Sequence, residues 1–548
     1  MATGSHPSVL IAGAGPSGLI LALTLLKSGV PVRLINKEPV HRIGSRGAGV
    51  QARTLELYDI LGVLPEILKA ADKTHARRRM YALPGGTEVV EQVPVAEWVE
   101  PTPGTPHPNA VAISQEVHED ILRGYLADLG GAVELGTELR SFEQFPDHVV
   151  AQLVKTGADG TESTESARFE YLVGTDGVHS VVRKQLGLTF LGETREEQHL
   201  LVGDIIVEEG LDRGLWHYWI PESQLMVFRP GTKEANGLRF AFAGVPEHWK
   251  HATPTREEFV EEFYKVTGRR DVKFGAAPWI SVFRPSMRMV DKFSVGRVFV
   301  AGDAAHCHSP TGGQGLNSSV QDAANLGWKL ALAATGRAPA ALLDSYSVER
   351  LPVIAEMLRL TTALHDKMFD ALADGGGDES TWVRGGAFAM LGVNARGSPI
   401  VLADESAGAA GGAYAAVESG RVQAGYRAPD APGLGGAAAR LFELFGPASH
   451  TALVFGGDAR ARQEAATALG RWPRGTVRAV RVLPAGYAAE ESGWEFEVVK
   501  DREGHAYAAY AGGAKEEMRV VIVRPDGMVG AVVSAAEGIE RYGKLIFG

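Results

Sequence analysis

The sequence predicts an α/β protein: a βαβ core carrying a glycine-rich turn, a β-rich sheet inserted into that core, and a separate C-terminal α/β domain. Three observations carry this reading. A G-x-G-x-x-G stretch, Gly13-Ala14-Gly15-Pro16-Ser17-Gly18, stands between a short apolar strand, Val9 to Ala12, and a helix pattern over Leu19 to Ser28. Two later apolar strands, Tyr171 to Val173 and Arg297 to Ala301, close on the turns Gly174-Thr175-Asp176-Gly177 and Gly302-Asp303. Between those turns, from about Leu191 to Arg284, strand patterns dominate.

The first turn is the most specific. Gly29 ends the helix, and Val32 to Ile35 follows as a second strand. In that βαβ context the glycines let the backbone approach a pyrophosphate at a helix N-terminus, the Rossmann-like arrangement. An acid for the ribose is expected at the end of the second strand, and Asn36 stands there instead, followed by Lys37 and Glu38. Asn still bonds ribose hydroxyls, so Asn36 and Lys37 are the candidates at this edge.

Next comes Ser45-Arg46-Gly47-Ala48-Gly49-Val50-Gln51, leading into a helix over Ala52 to Leu61. Arg46 either presents a cation to a ligand or is an exposed loop residue. Residues 78 to 113 read as strands and loops, because Pro94, Pro101, Pro103, Pro106 and Pro108 exclude a long helix. Gln115 opens a helix to Leu129, where it suits a ligand contact or an ordinary capping role.

The stretch from Gly296 to Leu330 combines a strand, the Gly302-Asp303 turn, a loop over His306 to Gly315, and a helix from Leu316 to Ala334. A carboxylate at the strand end accepts bonds from ligand hydroxyls, and backbone N–H groups after the glycines face an anion. In the inserted sheet, Trp216, His217, Tyr218, Trp219, Phe228 and Phe240 are candidates for a pocket wall or for plain core. Helices follow over 341–350 and 352–372, then a Gly-rich loop over 373–379. Residues 405–420 are Ala/Gly-rich and read as a linker. Beyond it, strand 451–455, helix 459–469, strand 477–483 and a hairpin over 519–529 form the C-terminal domain.

Bulk properties narrow the class. The chain has 548 residues, too many for one core. A net charge of −11 argues against a nucleic-acid partner, since no excess of Lys or Arg exists to neutralise phosphates. The basic run Arg77-Arg78-Arg79 reads as solvated surface. Cys307 is the only cysteine, which rules out an intrachain disulfide, a cysteine zinc site or a CxxC pair. No metal site is expected. The apolar stretch Val9 to Leu26 is punctuated by Gly13, Gly15, Pro16 and Gly18 and is not read as a membrane segment. A soluble, cytoplasmic protein is expected.

Taken together, GAGPSG at Gly13, GTDGVHSVVR at Gly174 and GRVFVAGDAAHCHSPTGGQGLN at Gly296 resemble the single-component FAD-dependent aromatic hydroxylases. These are the phenol hydroxylase and polyketide hydroxylase group of class A flavoprotein monooxygenases. The resemblance covers essentially the whole chain. It implies a Rossmann-like FAD-binding domain, an inserted substrate-binding sheet and a thioredoxin-like C-terminal domain that begins near Arg427-Ala428-Pro429-Asp430. The implied division is residues 1–84, 109–190 and 285–395 for FAD binding, 85–108 and 191–284 for substrate, 396–422 as linker and 423–548 as the C-terminal domain.

By that resemblance, Gly13, Ala14, Gly15, Pro16, Ser17 and Gly18 surround the FAD pyrophosphate, with Asn36 and Lys37 at the ribose. Arg46 and Gln115 match FAD-contact positions. Asp176 belongs to a motif serving FAD and NAD(P)H, and Gly302-Asp303 holds the ribityl chain. Pro310 lies near the flavin ring, and Gly315, Leu316 and Asn317 offer N–H groups to it. The implied reaction uses NAD(P)H and O2, and a flavin hydroperoxide hydroxylates a small aromatic, phenolic substrate. Phenol hydroxylases carry an Asp where this chain has Ala48, so His217 and Tyr218 are the candidate general bases, beside Arg46 and Pro310 in the catalytic set. A homodimer is one option for assembly.

Two other readings remain. Trp216-His217-Tyr218-Trp219-Ile220-Pro221 is one substitution from the WxWxIP of flavin-dependent halogenases. A non-catalytic flavin-binding protein, associating through its C-terminal domain, is the other.

Overall fold

A computed structural model describes residues 7–73, 76–195, 197–373, 385–402, 412–415, 421–487, 497–512 and 517–548. The Gly-rich loop after Ala373 and most of the expected linker, 403–411 and 416–420, lie outside the described residues.

Short apolar strands set the centre of the fold. Val9–Ala12 is fully buried and pairs in parallel with Val32–Ile35 on one side and Tyr171–Gly174 on the other. Val298–Val300 extends this sheet beyond Tyr171–Gly174, and Val133–Glu134 extends it beyond Val32–Ile35, both in parallel. The antiparallel edge Ser294–Val295 completes six strands. Parallel strands buried on both faces read as continuous apolar runs, which is why these segments show no alternation. Helices Pro16–Lys27 and Gly315–Ala334 pack closely, with Gly327 set against the Thr24 side chain. All the glycine turns therefore emerge at the carboxyl end of one parallel sheet, where open α/β sheets bind ligands.

The inserted sheet has eight strands. Leu200–Glu209, Gly237–Ala243, Leu225–Arg229 and Trp216–Trp219 run as an antiparallel series. Arg77–Tyr81 then joins in parallel with Trp216–Trp219, and Val89–Pro94 forms the edge. Arg77–Tyr81 thus lies before the expected boundary at 84/85 yet belongs to the inserted sheet. Arg78 on this strand is fully buried and bonded to Glu91, so the basic run is not wholly solvated surface as expected. One face of the sheet is covered by helix Arg256–Thr267, which a Thr255/Glu258 capping box starts. Trp219, Phe228, Phe259 and Phe263 fill that layer.

A single helix, Asp344–Ala373, replaces the two expected on either side of residue 351. Pro352 removes one N–H, leaving the carbonyl of Val348 without its helical donor, on a half-exposed turn of the helix.

Among the described residues, the C-terminal unit is a thioredoxin-like sheet of six strands. His450–Phe455 lies between parallel Val477–Leu483 and antiparallel Arg519–Val523, and Val529–Val533 closes the hairpin. Glu497–Asp501 adds in parallel beyond Val477–Leu483. Among the described residues, no helix is long and apolar enough to cross a membrane.

Candidate active site

The carboxyl ends of the parallel strands open onto a continuous cavity of about 1600 Å³. Gly13, Ala14, Gly15, Pro16, Ser17, Asn36 and Lys37 line it from the first turn and second strand. Arg46, Gln115, Asp176, Asp303, Pro310, Gly315 and Leu316 line it from the other motifs, and Tyr218 from the inserted sheet. Gly18, Gly302, Asn317 and His217 stand behind this wall.

Local backbone demands explain the glycines. Gly13 has φ +109°, and a Cβ there would overlap the Thr175 carbonyl. Gly302 has φ +61°, and a Cβ there would overlap the Ser17 hydroxyl. A Cβ on Gly18 would strike the Gly13 carbonyl, so it packs the helix onto the turn. Gly15 differs: nothing lies within 4 Å of the position its Cβ would take.

Two helix N-termini face the same cavity. Pro16–Lys27 begins after Gly15 and Gly315–Ala334 after Gln314, neither with a side-chain cap. Gln314 spends its amide on the carbonyls of Gly312 and Phe388, at 3.1 and 3.0 Å. First-turn N–H groups have no partner inside a helix, and they favour anions.

The loop carrying Arg46 is held from several sides. Gln115 Oε1 accepts from the Gly47 N–H at 2.9 Å, while its amide donates to Glu119 at 2.8 Å. Asp204 of the inserted sheet accepts from the Ser45 N–H at 2.8 Å. Asn317 is fully buried, accepting from the Gln51 N–H at 2.8 Å and donating to the carbonyls of Gly49 and Gly313 at 2.9 and 2.8 Å. The Arg46 guanidinium lies 5.6 Å from the Trp279 ring centroid.

The carboxylates sit in contrasting surroundings. Asp176 Oδ2 accepts from the N–H groups of Val181 and Val182, at 2.7 and 3.3 Å, while its buried Oδ1 has no partner. Burial raises the Asp176 pKa, with Ser180 opposing. Asp303 is open to the cavity yet surrounded by protein; the resulting desolvation raises its pKa, against His306, Arg42 and Arg46.

A strand alternates its faces, and this divides the aromatic run. Trp216 and Tyr218 line the cavity and stack with ring centroids 6.5 Å apart. His217 and Trp219 point to the other face. His217 is fully buried; its Nε2 donates to the Asp212 carbonyl at 2.7 Å and its Nδ1 accepts from the Tyr81 hydroxyl at 2.6 Å. Burial lowers its pKa to about 4. The expectation that His217 serves as a general base is therefore corrected: both nitrogens are engaged in the core, away from the cavity.

A family described as "FAD binding domain" matches residues 6–361. A flavin-dependent monooxygenase of Mycobacteroides abscessus is 37% identical over 82% of this chain and 89% of its own. Pentachlorophenol 4-monooxygenase of Sphingobium chlorophenolicum is 32% identical over 66% of this chain and 64% of its own. The chain belongs to the FAD-dependent aromatic monooxygenases. The crystal structure of aklavinone-11 hydroxylase with FAD and aklavinone shares 28% identity and a TM-score of 0.77, covering 99% of both chains. That of the flavin-dependent monooxygenase PieE, at 22% identity, has the same fold, with a TM-score of 0.81 over 99% of both chains. These relatives are monooxygenases, and the halogenase alternative is the less supported.

The cavity of this monooxygenase fits FAD. An anionic pyrophosphate suits the open space at Gly15 below an uncapped helix, and the unpartnered Asp176 Oδ1 and exposed Asp303 suit a ligand rich in hydroxyls. Sequence reasoning missed His308, Trp279 and Glu119, which also line the cavity. His308 donates from Nδ1 to the Ser309 carbonyl at 2.6 Å, and burial lowers its pKa to about 4. A histidine in a Pro/Gly loop has no spacing signal that separates it from surface.

Proposed function

We propose that this enzyme uses NAD(P)H and O2 to place one oxygen atom on a small aromatic, phenol-type substrate held against the sheet face of Trp216 and Tyr218. The observation that carries this reading is continuity: the glycine turns and the aromatic sheet face line one cavity. Bound FAD supplies the redox chemistry with oxygen. Gly13 to Gly18 and the N-terminus of helix Pro16–Lys27 would take its pyrophosphate, with Asn36 and Lys37 at the ribose. Asp303 would accept from the ribityl hydroxyls. Pro310 and the N–H groups of Gly315, Leu316 and Asn317 would face the ring, where a helix N-terminus stabilises negative charge.

The protein's own contribution is orientation, exclusion of water and proton placement. Trp216, Tyr218 and Trp279 give the substrate an apolar wall. Arg46 adds a cation at the junction of FAD and substrate. Tyr218 remains the sheet's candidate for a hydrogen bond to a substrate hydroxyl. His308 Nε2, unprotonated above about pH 4, is a second acceptor in the cavity. NAD(P)H use and a lone, half-buried cysteine support a cytoplasmic setting.

The test is a screen of purified yellow protein with small phenols, aromatic acids and polycyclic quinones, with NADH and NADPH side by side. Substrate-stimulated oxidation and a product heavier by one oxygen are expected. A protein that holds no flavin overturns the reading, and product that requires chloride and an added reductase restores the halogenase.

A further inference from the structure

The turn that would face the flavin ring is tied to the inserted sheet by one buried histidine. His365 sits on helix Asp344–Ala373, fully buried. Its Nε2 lies 2.7 Å from Gln198 Oε1 and its Nδ1 lies 2.8 Å from Ser309 Oγ. A Gln carbonyl oxygen only accepts, so Nε2 carries the proton and Nδ1 accepts from the Ser309 hydroxyl. Every bond in the chain thus has one direction. Ser309 in turn caps the turn Pro310–Gly312, accepting from the Thr311 N–H. Gly312 is packed between Thr361 of the same helix and Phe388, with no room for a Cβ.

At the other end, Gln198 stands just before strand Leu200–Glu209, whose Leu200 and Val202 line the cavity. Arg195 and Asp366 add a second tie between that segment and the helix, at 3.3 Å. Burial, the largest effect, holds His365 neutral, with a pKa of about 4. The link therefore persists at neutral pH.

We infer that His365 is a positioning residue: through Gln198 and Ser309 it sets the turn at Pro310 according to the place of the substrate sheet. This rests on the reading of the cavity as an FAD and aromatic-substrate site. A histidine that merely fills space would need neither polar end.

The test measures bound FAD without turnover: its dissociation constant, its visible absorption bands and its quenching by iodide. Variants are His365→Leu, Ser309→Ala, Gln198→Leu and the Ser309→Ala/Gln198→Leu double. His365→Leu and Gln198→Leu should each weaken FAD binding by roughly threefold to tenfold, the scale of one lost hydrogen bond. They should also shift the absorption bands and expose the ring to iodide. The double variant should match the stronger single variant, because both changes break one chain. Gln198 is only half-buried, so its variant remains informative if His365→Leu fails to fold. Wild-type spectrum and quenching in Gln198→Leu overturn the inference, as does simple additivity in the double. If the wild-type protein binds no FAD, the proposed function fails with it.

Discussion

Arg524 and Glu349 form a buried two-pronged pair, Nη1 to Oε1 at 2.7 Å and Nη2 to Oε2 at 2.8 Å. Arg524 belongs to the C-terminal hairpin and Glu349 to helix Asp344–Ala373. Lys329 donates to the same carboxylate at 2.8 Å, and Asp526 accepts from the Trp328 indole at 3.2 Å. Lys329 and Trp328 lie on helix Gly315–Ala334, whose first turn lines the cavity. The C-terminal hairpin therefore contacts helix Gly315–Ala334 through a buried charged cluster.

Glu349→Gln takes the shared buried carboxylate from Lys329 and Arg524, leaving Arg524 paired with Asp526 alone. Breaking such a pair costs roughly 3–5 kcal/mol. The urea midpoint should fall accordingly, and the double Glu349→Gln/Arg524→Met should recover part of the loss.

His217→Ala should destabilise the fold by about 1–2 kcal/mol, since it removes the buried acceptor of the Tyr81 hydroxyl and one of the two donors to the Asp212 carbonyl. The pH profile of turnover should not change. A lost pH limb would restore His217 as a base. Tyr218→Phe, on the cavity face, should instead raise the KM for a phenolic substrate.

Acid should weaken the fold above the carboxylate range. Burial lowers His118, His217, His308 and His365 to about 4 from an ordinary 6.5. Between those values the unfolded chain binds protons that the folded chain refuses, so stability falls as pH falls from 6.5 toward 4. Each group contributes about 1.4 kcal/mol per pH unit in that window. The raised carboxyls of Asp176, Asp204, Asp303, Glu119 and Asp430 act in the opposite sense. Denaturant midpoints that stay flat from pH 6.5 to 4.5 would contradict this.

At the flavin side, Gly302→Ala forces a Cβ onto the Ser17 hydroxyl at a φ of +61°. Retention of FAD through gel filtration should drop sharply. Asp303→Ala should also lose FAD, with little change in thermal stability of the protein stripped of flavin.

Residues whose role is local were legible in advance. A turn with positive φ at Gly13 and helix packing at Gly18 each restrict the residue type at fixed spacing, so the sequence by itself determined the parallel core and its glycine turns. It could not tell that Tyr218 faces the cavity while His217 faces the core. That choice follows from pairing with Arg77–Tyr81, more than a hundred residues earlier, and from the side on which helix Arg256–Thr267 packs. Nor could it join Gln198, His365 and Ser309, which are 167 and 56 residues apart along the chain. Backbone sterics act within a few residues and leave a pattern in the sequence. Side-chain facing and long hydrogen-bond chains depend on which surfaces meet, and only the tertiary structure decided those.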